Sequence, residues 1–129
     1  MEDSKPAEFK YFKFSEFDSP DVPGSGAAFM DVAFVRKLDA IRIRCGFPLR
    51  VSSGYRTAEH NAKVGGAAKS AHCLGVAADL VIPEPQSLNR LIFIKAALAE
   101  GINRIGIGKS FVHVDTSVDA PKNVMWTYY

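Results

Sequence analysis

Met30, Phe34, Leu38, Ile41 and Cys45 recur at spacings of four, four, three and four, which predicts one helix over 29–45 with a single apolar face. Asp31 falls in its first turn and Arg42 and Arg44 in its last, as the helix dipole favours. Gly46 and Pro48 end it. Cys45 lies on the apolar stripe and reads as a small core residue. Leu49–Ser52 follows as a short strand, and Ser53-Gly54-Tyr55-Arg56 leaves it as a loop. Thr57 caps a short helix to Lys63, broken by Gly65-Gly66. Val76–Ile82 reads as a strand stopped by Pro83 and Pro85. Ser87 then caps a helix over Leu88–Ala99, with Leu91, Ile94 and Leu98 on one side and Gly101 closing it. Strands Asn103–Ile107 and Phe111–Thr116 are joined by Gly108-Lys109-Ser110. This order, with its closing hairpin, predicts an α+β domain rather than a doubly wound α/β sheet.

Residues 1–28 read differently. Phe9, Tyr11, Phe12, Phe14 and Phe17 stand among charges, and Ser19-Pro20-Asp21-Val22-Pro23-Gly24-Ser25-Gly26 is dense in breakers. Five aromatics in nine residues predict an extended lead-in packed on the outside of a domain that spans 29–129. Trp126, Tyr128 and Tyr129 form an aromatic end that packs on the domain or offers a platform to a sugar or peptide.

At 129 residues the chain has the length of one domain. Its 47% hydrophobic and 23% charged residues are those of an ordinary globular protein. A net charge of +2 gives no footprint for nucleic acid. The acidic residues gather early: six, Glu2 and Asp3 among them, lie within residues 1–23 and leave a basic remainder. Two cysteines, Cys45 and Cys73, make no disulfide framework. No run approaches the 18 apolar residues of a membrane span. Met1-Glu-Asp-Ser-Lys has no apolar run behind it, so no secretion signal is read and synthesis in the cytoplasm is expected.

The candidate chemistry sits on strands. In Val76–Ile82 the side chains of Val76, Ala78, Leu80 and Ile82 share the apolar face, and Asp79 takes the other. A carboxylate in mid-strand has to be paired, hydrogen-bonded or bound to a metal. In Phe111–Thr116, Val112 and Val114 face the core while Phe111, His113 and Asp115 face away. His72 lies in the turn before the first of these strands. Two imidazoles and a carboxylate are the ligand types of a catalytic zinc with one open position. They are equally the polar groups of a metal-free domain. Gly106-Ile-Gly-Lys-Ser110 ends like a phosphate-binding loop but lacks its first glycine and its helix. His60 makes either a structural hydrogen bond or a substrate contact, and Cys73 is a packing residue.

Ser53-Gly-Tyr-Arg-Thr57, His60-Asn61, Val64-Gly-Gly-Ala67, Ser70-Ala-His72, Gly75-Val-Ala-Ala-Asp79 and Phe111-Val-His-Val-Asp115 occur in one order. The series resembles the zinc D-alanyl-D-alanine carboxypeptidase and L-alanyl-D-glutamate endopeptidase family. That family includes vancomycin-resistance dipeptidases, phage endolysins and, distantly, hedgehog signalling domains. The resemblance covers about residues 29–116. It implies a small antiparallel sheet carrying zinc between helices, with His72, Asp79 and His113 as ligands. It gives Arg56 the scissile carbonyl and its oxyanion, a role suited to a permanently charged donor fork. Ser70 holds substrate in relatives or stabilises the turn here. Many relatives carry a Glu, Asp or His two or three residues before the last ligand, where this chain has Phe111 and Ser110. Asp115 is the nearest carboxylate. It either takes the proton from the attacking water or orients His113 from behind.

The resemblance thus implies a monomeric, Zn2+-dependent peptidase of peptidoglycan stem peptides. The short chain favours removal of terminal D-alanine. The alternatives are an L-Ala-D-Glu endopeptidase and a non-catalytic zinc domain that binds a wall peptide or a protein. A wall-cutting enzyme without a secretion signal points to phage-type delivery from the cytoplasm to the wall.

Overall fold

The computed structural model describes residues 8–129, so Glu2, Asp3 and the first residues of the lead-in lie outside the described residues. Four helices, α1 (Ser25–Phe29), α2 (Val32–Cys45), α3 (Ala58–Lys63) and α4 (Gln86–Ala99), surround one five-stranded sheet. Its strands are β1 (Arg50–Ser53), β2 (Ala77–Val81), β3 (Arg104–Ile107), β4 (Val112–Asp115) and β5 (Val124–Thr127), in the order β1-β2-β4-β3-β5.

The α+β class holds, but the sheet is mixed. β1, β2, β4 and β3 are antiparallel neighbours, whereas β5 runs parallel to β3. The expected all-antiparallel sheet omits this last strand. After β4 the chain loops back over residues 116–123 and re-enters beside β3 in the same direction. Val124 N–H donates to the Asn103 carbonyl at one end of the strand and Tyr128 N–H to the Ile107 carbonyl at the other.

The helix expected over 29–45 begins three residues later, as α2 at Val32, and Phe29 ends the separate α1 before it. Met30 N–H closes α1 onto the Gly26 carbonyl. Asp31 stands outside α2 as its N-cap, its carboxylate accepting from Phe34 N–H at 2.9 Å. A capping carboxylate satisfies an amide that the helix cannot. The apolar stripe survives: Phe34, Leu38 and Ile41 are buried, with Cys45 packed beside them.

In α4 the core side differs from the expected one. Of the expected trio Ile94 packs against the core, but Leu91 and Leu98 are more than half exposed, and Phe93, Ala96 and Ala97 are the buried residues. The small alanines let α4 approach α2 closely. Asn89, also buried, donates from its amide to the Pro83 carbonyl and fixes the entry into the helix. The helix starts at Gln86, one residue before the predicted Ser87 cap, because Glu84 Oε1 already accepts from Gln86 N–H.

The apolar faces of β2 (Ala78, Leu80) and β4 (Val112, Val114) join α2 and α4 in the core. Phe12 and Phe17 belong to the same cluster. Phe17 is fully buried, and its carbonyl accepts from Tyr55 N–H at 2.8 Å, which ties residues 8–18 to the loop after β1. Gly54 belongs to that junction. A Cβ there would lie 2.6 Å from Phe17 Cα, so no larger residue fits without moving the backbone.

Candidate active site

The sheet's other face carries the chemistry in one row. The pairing puts Ser53 of β1 opposite Asp79 of β2, Asp79 opposite His113 of β4, His113 opposite Gly106 of β3, and Gly106 opposite Trp126 of β5. Side chains on neighbouring strands in register stand about 5 Å apart on a common face. Asp79 and His113 are therefore held together by backbone pairing alone. His72 arrives from a different element, a 3-10 turn over Ala71–Leu74 that precedes β2. Ser70 caps that turn, its hydroxyl accepting from His72 N–H at 3.2 Å. Gly75 ends it with φ +74°, and a Cβ there would strike the Phe29 carbonyl.

His72, Asp79 and His113 are all buried, and one donor atom from each lies within 4.8 Å of the others. Asp79 Oδ1 is 2.9 Å from His113 Nδ1 and 3.4 Å from His72 Nε2. The outer nitrogen of each ring is committed elsewhere. His72 Nδ1 lies 2.7 Å from the Gly54 carbonyl, which can only accept, so Nδ1 carries a proton and Nε2 is the nitrogen turned toward Asp79 and the one that could serve a metal. His113 Nε2 lies 2.7 Å from Asp115 Oδ2. Metal-bound histidines characteristically donate their second N–H to a carbonyl or carboxylate in this way. The donor set therefore fits a metal ion: two imidazoles with their inner nitrogens converging on one carboxylate.

The electrostatics favour positive charge at that point. Burial alone would raise the Asp79 carboxyl, but hydrogen bonds from His113 and His72 outweigh it and hold it well below the usual carboxylate range. Burial alone would lower His113, yet its bonds to Asp115 and Asp79 raise it. Asp115 is lowered, since His113, Ser117 N–H and Arg104 together outweigh its desolvation. A site that stabilises an extra proton between two carboxylates also suits a cation in its place.

Arg56 sits beside this group, its NH2 nitrogen 3.6 Å from Asp79 Oδ2. Its Nε donates to Ser53 Oγ and its NH1 to Asn61 Oδ1, both at 3.1 Å. Asn61 is buried and donates in turn to the Ala67 carbonyl at 2.8 Å. The guanidinium is thus clamped from two sides, with its remaining nitrogen aimed at the site. A Cβ on Gly66 would fall 2.0 Å from Asn61 Oδ1, so the glycine makes room for the clamp.

Asp115 is 1% exposed and has both oxygens engaged. Oδ1 accepts from Arg104 Nε at 2.7 Å and Ser117 N–H at 3.0 Å, and Oδ2 faces His113. These groups line a cleft of about 460 Å3, together with Lys69, Ser70, Phe111, Trp126 and Tyr128. All the predicted site residues, Arg56, Ser70, His72, Asp79, His113 and Asp115, border this one space. His60 and Cys73 do not line it. Both cysteines are free.

A family model described as Peptidase M15 matches residues 10–115, most of the chain and every one of those residues. The chain belongs to the peptidase M15 family. M15 peptidases are zinc-dependent metallopeptidases, and the His72, Asp79 and His113 group of this M15 chain could hold the ion. A comparison with curated proteins finds no match. No helix among the described residues is long and apolar enough to cross a membrane.

Two side chains, Asn61 and Arg104, and the strand β5 are not picked out by the residue pattern, although Trp126 and Tyr128 are read there as an aromatic end. Asn61 entered only as part of the motif series, although its place four residues after Thr57 puts it on the buried side of α3. Arg104 alternates with the core residues Ile105 and Ile107, the same two-residue period that exposed Asp79. The alternation of Val124 and Trp126, continued by Tyr128 just beyond the strand, is the signal for β5.

Proposed function

We propose that this M15 chain hydrolyses the stem peptides of bacterial peptidoglycan, with His72, Asp79 and His113 as the zinc ligands and removal of terminal D-alanine as the reaction. The observation that carries this reading is the convergence of the three donor atoms at the base of a cleft with the clamped Arg56 guanidinium beside them. Zinc held there supplies Lewis acidity toward a carbonyl and an activated water at neutral pH.

The chain's own residues do the rest. Arg56, fixed by Ser53 and Asn61, donates to the scissile carbonyl oxygen as negative charge grows on it. Preorganised donors act on the transition state without a cost of reorganisation. His72 is held by Gly54, and His113 by Asp115, so each keeps its inner nitrogen free of a proton when zinc is bound. Asp115, with both oxygens occupied, is a positioning residue for His113. Lys69 lines the mouth of the cleft and has no ion-pair partner among the described residues, which suits a substrate that ends in a carboxylate.

One observation favours a second reading. Among the described residues the only acidic side chains lining the cleft are Asp79 and Asp115, and both are engaged. That fits a domain that keeps zinc and binds a wall peptide without cutting it. Mass spectrometry of muropeptides incubated with zinc-loaded protein, beside a chelated control, separates the readings. Zinc-dependent loss of one terminal alanine is the expected result. A cut between the first two stem residues would make the enzyme an endopeptidase. Unchanged muropeptides with zinc demonstrably bound would favour the binding domain.

A further inference from the structure

The wall of the cleft built by β5 has no part in the roles above, and it lies beyond residue 115, where the family match ends. Trp126 stands in the same cross-sheet row as Asp79 and His113, separated from His113 only by Gly106. That glycine has no side chain for a reason: a Cβ would fall 2.6 Å from Trp126 Nε1 and 2.7 Å from Tyr128 Cε2. The two rings lean over β3 toward the site. Their centroids come within 5.6 Å and 6.2 Å of the His113 ring, and Tyr128 meets Phe111 at 5.2 Å. Trp126 is held by the Arg104 guanidinium, 5.0 Å from its centroid, and Arg104 is the group that also binds Asp115. Tyr128 is 52% exposed, yet its backbone is fixed to Ile107 and its ring lines the cleft. An aromatic ring that is anchored and half in solvent presents a ready-made contact surface with little order left to lose on binding.

We infer that Tyr128 is a substrate-contacting residue, its ring closing the cleft over His113 and its phenol donating a hydrogen bond to a carbonyl or carboxylate oxygen of the bound peptide. A phenol offers one O–H donor beside its acceptor lone pairs. No carboxylate stands at Phe111 or Ser110, and Tyr128, directly after β5, brings a polar group to that same side of the cleft. This inference rests on the peptidase reading above.

The test compares Tyr128→Phe and Tyr128→Ala with the wild type in the zinc-loaded full chain, on a stem pentapeptide ending in D-Ala-D-Ala. The readouts are kcat and KM for cleavage, calorimetric Kd for the peptide, and zinc affinity. Loss of the hydroxyl alone should lower kcat/KM between about three- and tenfold, the worth of one hydrogen bond. Loss of the ring should lower it further, mainly through KM. Zinc affinity should match the wild type in both. Tyr128→Phe behaving as wild type overturns the hydroxyl's role whatever the alanine variant does, and a parallel fall in zinc affinity overturns substrate contact in favour of a structural role. If the wild type binds the peptide without cutting it, the peptidase reading fails and Tyr128 is judged on Kd by the same margins. If it neither binds nor cuts, both fail.

Discussion

Asp115→Asn changes one atom and should cripple the metal site. In the wild type Asp115 Oδ1 accepts from Arg104 Nε and Ser117 N–H, while Oδ2 faces His113 Nε2. The new amide has one acceptor and one donor group. Its carbonyl must face Arg104 and Ser117, because two N–H groups already point there and the opposite orientation would set donors against donors. The amide NH2 then meets His113 Nε2, which can pair with it only as an acceptor. The imidazole proton moves to Nδ1, the nitrogen aimed at Asp79 and the metal position, and the lone pair needed there is lost. Removing such an outer partner typically costs 10–100-fold in metal affinity or activity, which is about 1.4–2.8 kcal/mol at 1.4 per decade. Competition against a chromogenic chelator measures the zinc affinity, and a melting curve checks that the fold is kept. Zinc affinity within about twofold of wild type would refute the tautomer argument. Loss of cleavage with zinc affinity intact would show instead that Asp115 accepts the proton from water.

Gly66→Ala should act on Arg56 without touching a ligand. The added Cβ would lie 2.0 Å from Asn61 Oδ1 and 3.0 Å from Arg56 NH1, so Asn61 must release both its bonds. A misplaced guanidinium should lower kcat/KM by about 10–100-fold with zinc affinity preserved, and unchanged kinetics would show that the clamp is dispensable. The Cys45 thiol gives a pH dependence. Burial pushes it up to about 11, against a smaller opposing effect of Arg42. The folded protein should therefore alkylate at Cys45 with a midpoint near that value, where an unfolded thiol titrates near 8.5. Because only the unfolded chain ionises between those values, stability should fall as pH rises through that window. Peptide-resolved iodoacetamide labelling checks it, and a Cys45 midpoint below about 9 would contradict the burial of the thiol.

Much of the site was legible in the chain because a strand has a period of two. Asp79 against Ala78 and Leu80, and His113 with Asp115 against Val112 and Val114, announce a polar row on one face of a sheet before any coordinates are known. The stripe of Phe34, Leu38 and Ile41 announces α2 in the same way. The spacing from His72 to Asp79, with a later His-x-Asp, pointed to zinc peptidases once seen beside Tyr55-Arg56. Local periodicity failed where two apolar choices competed. In α4 the leucines looked like the core side, but packing against α2 and the sheet buried Phe93, Ala96 and Ala97 instead, the two alanines admitting a close helix contact. It failed at Met30 and Asp31 as well, where Met30 caps the end of α1 and the Asp31 carboxylate caps α2, so the helix starts only at Val32.

Local sequence thus determined which residues are polar on an apolar strand, and with what period. Tertiary structure alone decided their partners, because those lie far apart in the chain. The strand order sets Asp79 opposite His113 and brings β5 in parallel beside β3, and only that placement lets Trp126 and Tyr128 lean across Gly106. The proton positions are decided there too. The Gly54 carbonyl meets His72 because Phe17 holds the loop after β1, and Arg104 meets Asp115 because β3 lies beside β4. Those contacts choose which nitrogen of each histidine is left for a metal, and spacing along the chain carries no information about a choice made by hydrogen bonds across the fold.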